Sequence, residues 1–492
     1  MKFENIPTVL SKYTFRNKMF ICQNISRQIM TINGILGVNE LRDKIMPWEI
    51  ETFALFSILP ETVEHSTEEI TEQVFLEIMD SIRNYEHPIL VKAAANNEFA
   101  DYFLIVTGLT QFPLQENIYF KYFRYDYFFN FVNKTIDMKK EFYIKFKMNF
   151  DRVRRFALFF NLIFNYRLED GTIPDATKIL NYFSTDYFDV VKLFTLDRTE
   201  LLKFQFKIIN ETEQYMYGFR YFYQYPFIEE KKLIYMPLPH LINMATTSSL
   251  LFRLTENNNT LRDKFGKEVL ENYLVEVCSI NKECIEIVPE YVYDKKRNMR
   301  TIDIMLNFED HAILMDSKSF SPKVALRDLS DDEIDYSTKI IVKSVKQMYL
   351  HIKERFNVTY FPFGKGKQFE LNNTFGIVVI AEDNFVRRER IMRKAAEELK
   401  IDVKSDEFDF LCSNIKVLSL YSIEDIFFYN RDIIKLLKNN QGNRNKWFNY
   451  TLINEIDDTP KLDMKILECE KKVKDIYMDI IREMKDKNLI SK

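Results

Sequence analysis

Three apolar runs of strand length follow one another along the chain: Cys284 to Tyr293, Thr301 to Phe308 and His311 to Ser317. The links between them, Asp294-Lys295-Lys296-Arg297-Asn298 and Glu309-Asp310, are short and polar and carry turn chemistry. Strands joined by so few residues pair as antiparallel neighbours, because a parallel crossover needs a dozen residues or more. A hairpin between the second and third runs is therefore expected. Side chains alternate faces along a strand, so Asp316 and Lys318 project the same way, and the hairpin brings Asp303 towards Asp316.

The surroundings of these runs read as helix and strand in alternation. A helix is expected from Leu261 to about Ile280, capped by Thr260, with Leu261, Phe265, Val269, Leu270, Leu274 and Val277 along one side. An acidic loop from Asp328 to Asp335 precedes a long helix from about Ser337 to Phe356. The basic loop Gly364-Lys365-Gly366-Lys367 leads to a buried strand, Phe375 to Ala381; a helix near Arg387 to Leu399 and a last strand, Ile415 to Leu420, follow. The order is α-β-β-β-α-β-α-β. Upstream the chain reads as mostly helical. Apolar spacing predicts a helix from Thr67 to Ile82 with Ser66 as its cap, and helix-like segments follow at Ala176 to Leu193 and Leu241 to Leu254, while Tyr119 to Tyr166 is very rich in Phe and Tyr with Lys and Arg interleaved. Only 10 glycines and 13 prolines in 492 residues also favour long regular elements over loops. The polar stretch Glu256-Asn257-Asn258-Asn259-Thr260 makes the expected boundary. The fold class expected is α+β and multidomain: a mostly helical region over 1–255, a mixed-sheet domain over 261–430 and a helical extension over 431–492, with helices at Ile423 to Lys438 and Leu462 to Lys487.

Two carboxylates held close repel each other unless a cation lies between them. Hard oxygen ligands suit Mg²⁺ or Mn²⁺, which keep positions open for water and phosphate. Asp303 and Asp316 are the expected metal ligands, Glu268 on the preceding helix a third, and Lys318 the group that orients water or offsets charge on a phosphate. With this set, residues 261–430 resemble the PD-(D/E)xK nuclease superfamily. The resemblance rests on Glu268 in the first helix, Asp303 in the second strand, Asp316-Ser317-Lys318 in the third, and the order of elements. It implies a restriction-endonuclease-like αβββαβ core and Mg²⁺-dependent cleavage of nucleic acid, usually DNA. Gln347 on the following helix is similar to the extra Gln that some members place beside the site. Ile302 stands where the name-giving motif has Pro, a position that varies widely in that family.

The tripeptide alone carries little weight, since Asp137-Met138-Lys139, Asp402-Val403-Lys404 and Asp463-Met464-Lys465 have the same form without an apolar strand before them. His311 and His351 read as structural. The stretch Tyr119-Phe120-Lys121-Tyr122-Phe123-Arg124, and Arg152, Arg154 and Arg155, either grip phosphates while aromatics stack on bases, or form a helical core with a solvated charged face; the core reading is favoured. Lys365 and Lys367 are either backbone contacts or a plain loop. Five scattered cysteines without a CxxC pair argue against both a disulfide framework and a zinc site.

A net charge of −4 excludes a uniformly basic nucleic-acid coat but not a local basic groove. The start Met1-Lys2-Phe3-Glu4-Asn5 lacks the apolar core of a signal peptide, and a cytoplasmic location is expected. The function expected is a metal-dependent DNA endonuclease whose N-terminal region selects or senses the target. That layout is similar to type IIS restriction enzymes and suits bacterial anti-phage defence. An RNA-cleaving, toxin-like nuclease on the same fold and an inactive nucleic-acid-binding scaffold are the alternatives. Double-stranded DNA is the expected partner, with room for a homodimer or an activating subunit.

Overall fold

The computed structural model describes residues 1–30, 45–62, 68–111, 116–165, 176–203, 221–319, 326, 329–439 and 468–490. The N-terminal half is largely helical, as its apolar spacing requires, and the C-terminal half contains a mixed sheet. A three-stranded sheet that the sequence pattern did not suggest lies in the first half: β1 (Thr195–Asp197), β2 (Phe227–Glu230) and β3 (Leu233–Tyr235), with β1 parallel to β2 and β2 antiparallel to β3.

The first of the three apolar runs is split. β4 (Glu286–Pro289) belongs to the main sheet, whereas β5 (Val292–Asp294) turns back on β6 (Met299–Arg300) as a separate hairpin. β7 (Ile304–Phe308) and β8 (His311–Lys318) form the expected antiparallel pair, and β9 (Thr374–Ile380) and β10 (Ile415–Ser419) extend the sheet in parallel. The strand order is β10-β9-β8-β7-β4. The strands alternate their burial between two layers. Ile304, Leu306, Ile313, Met315, Ile377 and Val379 face the layer that holds helix Glu271–Ser279 and helix Leu420–Phe428. Met305, Ala312, Leu314, Val378 and Ile380 face the layer that holds helix Asp331–Leu350 and helix Arg388–Leu399. Gly376 in mid-strand allows the second layer its close approach. A Cβ there would stand 2.3 Å from Met348 Cγ.

Several boundaries move for physical reasons. Helix Asp331–Leu350 starts six residues before the expected Ser337, since Asp331, Asp332 and Glu333 form its first turn, where acidic side chains complement the helix dipole. Asp328 lies outside the described residues, and so does Ser66; the helix expected from Thr67 runs over Glu72–Arg83, with the Thr71 hydroxyl accepting from Val74 N. Asn258, not Thr260, caps the helix that opens the C-terminal half, accepting from Leu261 N at 3.0 Å. Helix Asp406–Asn414, absent from the expected order, packs between helix Arg388–Leu399 and β10. Ile423 to Lys438 divides into Leu420–Phe428 and Ile433–Asn439, and the last helix is Glu468–Asp486; residues 462–467 lie outside the described residues.

The stretch around 256–260 is a turn in the chain, and buried side chains from both sides of it share their clusters. Phe120, Phe128, Phe156 and Phe160 join Tyr273, Leu420, Phe427, Val473 and Ile480 in one; Phe53, Ile78 and Ile105 join Ile341, Val378 and Met392 in the other. Arg124 fastens the first of these joints. It lies at 2.7 Å (Nε) and 2.8 Å (Nη2) from the two carboxylate oxygens of Glu424, which also accepts from Tyr273 at 2.7 Å. In the first half, Ser26, His240, Glu51 and Tyr223 form a fully buried hydrogen-bonded chain that ties helix Phe15–Met30 and helix Pro47–Ser57 to the turn Pro239–Leu241. Among the described residues no helix is long and apolar enough to cross a membrane.

Candidate active site

β4 ends and β7 begins at one edge of the sheet, where β8 runs on to Lys318 beside β9. Pro289 pairs with Ile304, and Ile304 with Met315. The next residue along each chain segment from these pairs is acidic: Glu290 after β4, Asp303 before β7 and Asp316 within β8. Asp303 occupies a bend just before β7 rather than the strand itself. Its Oδ2 accepts from Ser317 N at 2.7 Å and Ser317 Oγ at 3.0 Å, which fixes it against the outgoing end of β8.

Asp316 is 1% exposed, and its carboxyl is pushed up to about 6. Loss of water is the chief cause; Lys318 opposes it and the neighbouring Asp303 charge adds to it. Lys318 Nζ lies 2.8 Å from Asp316 Oδ2 as an ion pair, outside hydrogen-bond alignment, and Ser344 of helix Asp331–Leu350 bonds the same carboxylate. The Lys318 side chain remains 31% exposed, so its charge reaches the solvent side of the site.

The helix carboxylate that feels Asp303 is Glu271, not Glu268. Glu271 is raised to about 7 by burial and then by the Asp303 charge, against its contact with Lys267. Glu268 instead accepts from Asn133 Nδ2 at 2.8 Å. The phase shift has a local cause: residues Phe265–Leu270 form a π-helical turn in which Glu271 N–H reaches back to Gly266 O, five residues earlier. This turn passes close to the exit of β8. A Cβ at Gly266 would meet Ser319 Oγ at 3.0 Å. Lys267 on the same turn joins Glu271 (2.8 Å) to Glu290 (2.5 Å), and Arg300 holds Glu290 at 2.8 Å. Burial raises Glu290, but its hydrogen bonds from Lys267 and Arg300 outweigh this and keep it below the usual range.

Gln347 is exposed, one turn beyond Ser344, and it is Ser344 that reaches Asp316. Arg152 is taken up by Asp189 (2.7 Å), Arg154 by Asp126 (2.5 Å) and Asp151 (3.0 Å), and Arg155 by Glu483. Each of these arginines is matched to a carboxylate of the protein, and Phe120, Tyr122, Tyr125, Phe128 and Phe129 are core residues. Lys365 is exposed, and Lys367 Nζ lies 5.5 Å from the Phe369 ring centre. His311 stacks on Phe375, and buried His351 bonds Tyr360 OH (3.0 Å); neither enters the acidic row. Of the tripeptides set aside, Asp137 caps a helix and Asp402 caps a turn; Asp463 lies outside the described residues.

Asp303 and Asp316 are oxygen donors of the kind a hard divalent cation takes, and Asp316 is desolvated and feels the Asp303 charge. Among the described residues no group of three or more His, Cys, Asp or Glu side chains is gathered closely enough to hold a metal by itself. Comparison of the chain with protein-family models, with curated proteins and with solved structures gives no match in any of the three.

Proposed function

We propose that this chain is a metal-dependent nuclease that hydrolyses phosphodiester bonds in DNA. The observation that carries the reading is the arrangement at the sheet edge: Asp303 beside a buried, destabilised Asp316, with the half-exposed ammonium of Lys318 at 2.8 Å. A structural ion pair has no need of a second carboxylate pressed against it, and burying charge without a strong partner costs stability. The sheet order, the helix before β4 and the helix between β8 and β9 support assigning residues 261–430 to the PD-(D/E)xK, restriction-endonuclease-like class.

Asp303 and Asp316 would hold the Mg²⁺ or Mn²⁺. Bound there, the cation supplies Lewis-acid stabilisation of charge on the phosphoryl oxygens. Ser317, through its backbone N–H and hydroxyl, fixes the orientation of the Asp303 carboxylate. Ser344 and Lys318 do the same for Asp316. Lys318 presents its charge where a water or a phosphate oxygen approaches from solvent, orienting the first and stabilising the second. Glu271, raised to about 7, can hold or release a proton near neutral pH within reach of the Asp303 field.

The test is incubation of the purified protein with plasmid DNA, and with RNA of the same sequence, in Mg²⁺ or Mn²⁺. Cutting of DNA is expected. Preferential cutting of RNA would replace DNA as the substrate. Absence of cutting on both, together with no divalent-ion binding by calorimetry, would overturn the reading in favour of a scaffold.

A further inference from the structure

The hairpin of β5 and β6 emerges between Glu290 and Asp303, so it projects from the sheet edge that holds the acidic row. Its tip is Lys295-Lys296-Arg297-Asn298, all four exposed. Asp294 shapes the turn by accepting from Lys296 N (2.9 Å) and Arg297 N (3.2 Å), and Asn298 closes it in the left-handed region at φ 50°. The base is anchored. Tyr291 and Thr301 exchange hydrogen bonds of 3.0 and 3.1 Å, Arg300 is held by Glu290, and the Tyr293 ring lies 5.0 Å from that of Tyr360.

The charge at this tip contrasts with that of Arg124, Arg152, Arg154, Arg155, Arg198 and Lys267, each of which is matched to a carboxylate. Among the described residues, Lys295 and Lys296 have no carboxylate partner. Arg297 is 79% exposed and 3.9 Å from the one it has. Three adjacent cations are thus held out on a braced ribbon beside a row of carboxylates that would otherwise repel a polyanion.

We infer that this hairpin is the backbone clamp for duplex DNA, engaging phosphates and thereby presenting a strand to Asp303, Asp316 and Lys318. The inference rests on the nuclease reading for its choice of polyanion. A two-stranded β-ribbon is of a width that the major groove of B-form DNA admits, whereas the major groove of A-form RNA is too narrow for side chains to read. Phosphate neutralisation releases counterions, so each contact appears in the salt dependence of binding.

The test is fluorescence-anisotropy binding of a DNA duplex and an RNA duplex of the same sequence, with Ca²⁺ in place of Mg²⁺, across a range of salt. The triple variant Lys295→Ala/Lys296→Ala/Arg297→Ala is compared with wild type and with Lys231→Ala/Lys232→Ala, which removes exposed cations from the tip of another hairpin. The tip side chains are solvent-exposed, so the triple variant is expected to fold, and unchanged circular dichroism is the check. The expected result is a slope of log K against log salt lowered by about 2 to 3 for the triple variant on DNA, at 0.9 per phosphate, with the Lys231/Lys232 variant at the wild-type slope. An unaltered slope in the triple variant overturns the clamp, even if wild type cuts DNA in Mg²⁺. An equal loss on the RNA duplex overturns the groove assignment. A lowered slope on DNA with wild type inert in Mg²⁺ sustains the clamp and sinks the reaction instead.

Discussion

Replacing Asp316 by Asn should make the protein more stable at pH 8 while removing its activity. The carboxyl of Asp316 is raised from 3.8 to about 6 in the fold, a difference of about 3 kcal/mol at about 1.36 kcal/mol per pKa unit. Because the folded value lies above the unfolded one, the native state binds the extra proton between about pH 4 and 6. Stability is therefore full below about pH 4, falls as pH rises through 6, and stays lower beyond. Asn keeps the shape without the charge. The gain at pH 8 in chelator is expected to be about 1 to 3 kcal/mol, the lower figure allowing for the lost contact with Lys318. At pH 4 it should vanish. Unfolding of a chain this size need not be two-state, so the suitable assay is hydrogen exchange of β8 and β9 amides at the two pH values, compared with wild type. A variant that is destabilised at pH 8 would refute the reasoning, because Asp316 would then be a stabilising partner of Lys318 rather than a charge held ready for a cation.

Glu271→Gln is expected to slow cleavage at least tenfold, while Glu268→Gln, whose carboxylate faces Asn133, should stay within about threefold; steady-state rates on one DNA substrate decide, and the opposite ranking would return the role to Glu268. Arg124→Met should cost about 3 to 5 kcal/mol by leaving the buried Glu424 carboxylate without its cation. The loss should be smaller at pH 5 than at pH 8, since burial already raises Glu424 and the stranded group can take up a proton; a loss independent of pH would mean that packing, not charge, is what Arg124 supplies.

The catalytic candidates that were legible in the sequence owe it to local pattern. Asp303, Asp316 and Lys318 could be placed because a short-linked hairpin has one antiparallel pairing and strand side chains alternate, and the register found, Ile304 with Met315, sets the two aspartates opposite each other. Glu271 could not, since a regular helix phased on Leu261, Phe265 and Val269 gives no sign of the π-helical turn that carries it to Asp303. Glu290 was hidden by the division of one apolar run into β4 and the β5–β6 hairpin, with Pro289 at the break as the available signal. The fates of Arg152, Arg154 and Arg155 depend on partners such as Asp189 and Glu483, which no local spacing connects to them. Likewise Arg124 meets Glu424 across the whole middle of the chain, so a boundary drawn at a polar turn carried no information about which helices share a core.

The most direct test of the nuclease account is a cleavage time course with Mg²⁺, Mn²⁺ or EDTA for wild type and Lys318→Ala. The account predicts cutting with either metal, none in EDTA, and a rate lower by on the order of a hundredfold or more in the variant, as for removal of a group that stabilises developing charge. Equal cutting by the two proteins, or cutting that persists in EDTA, would contradict it.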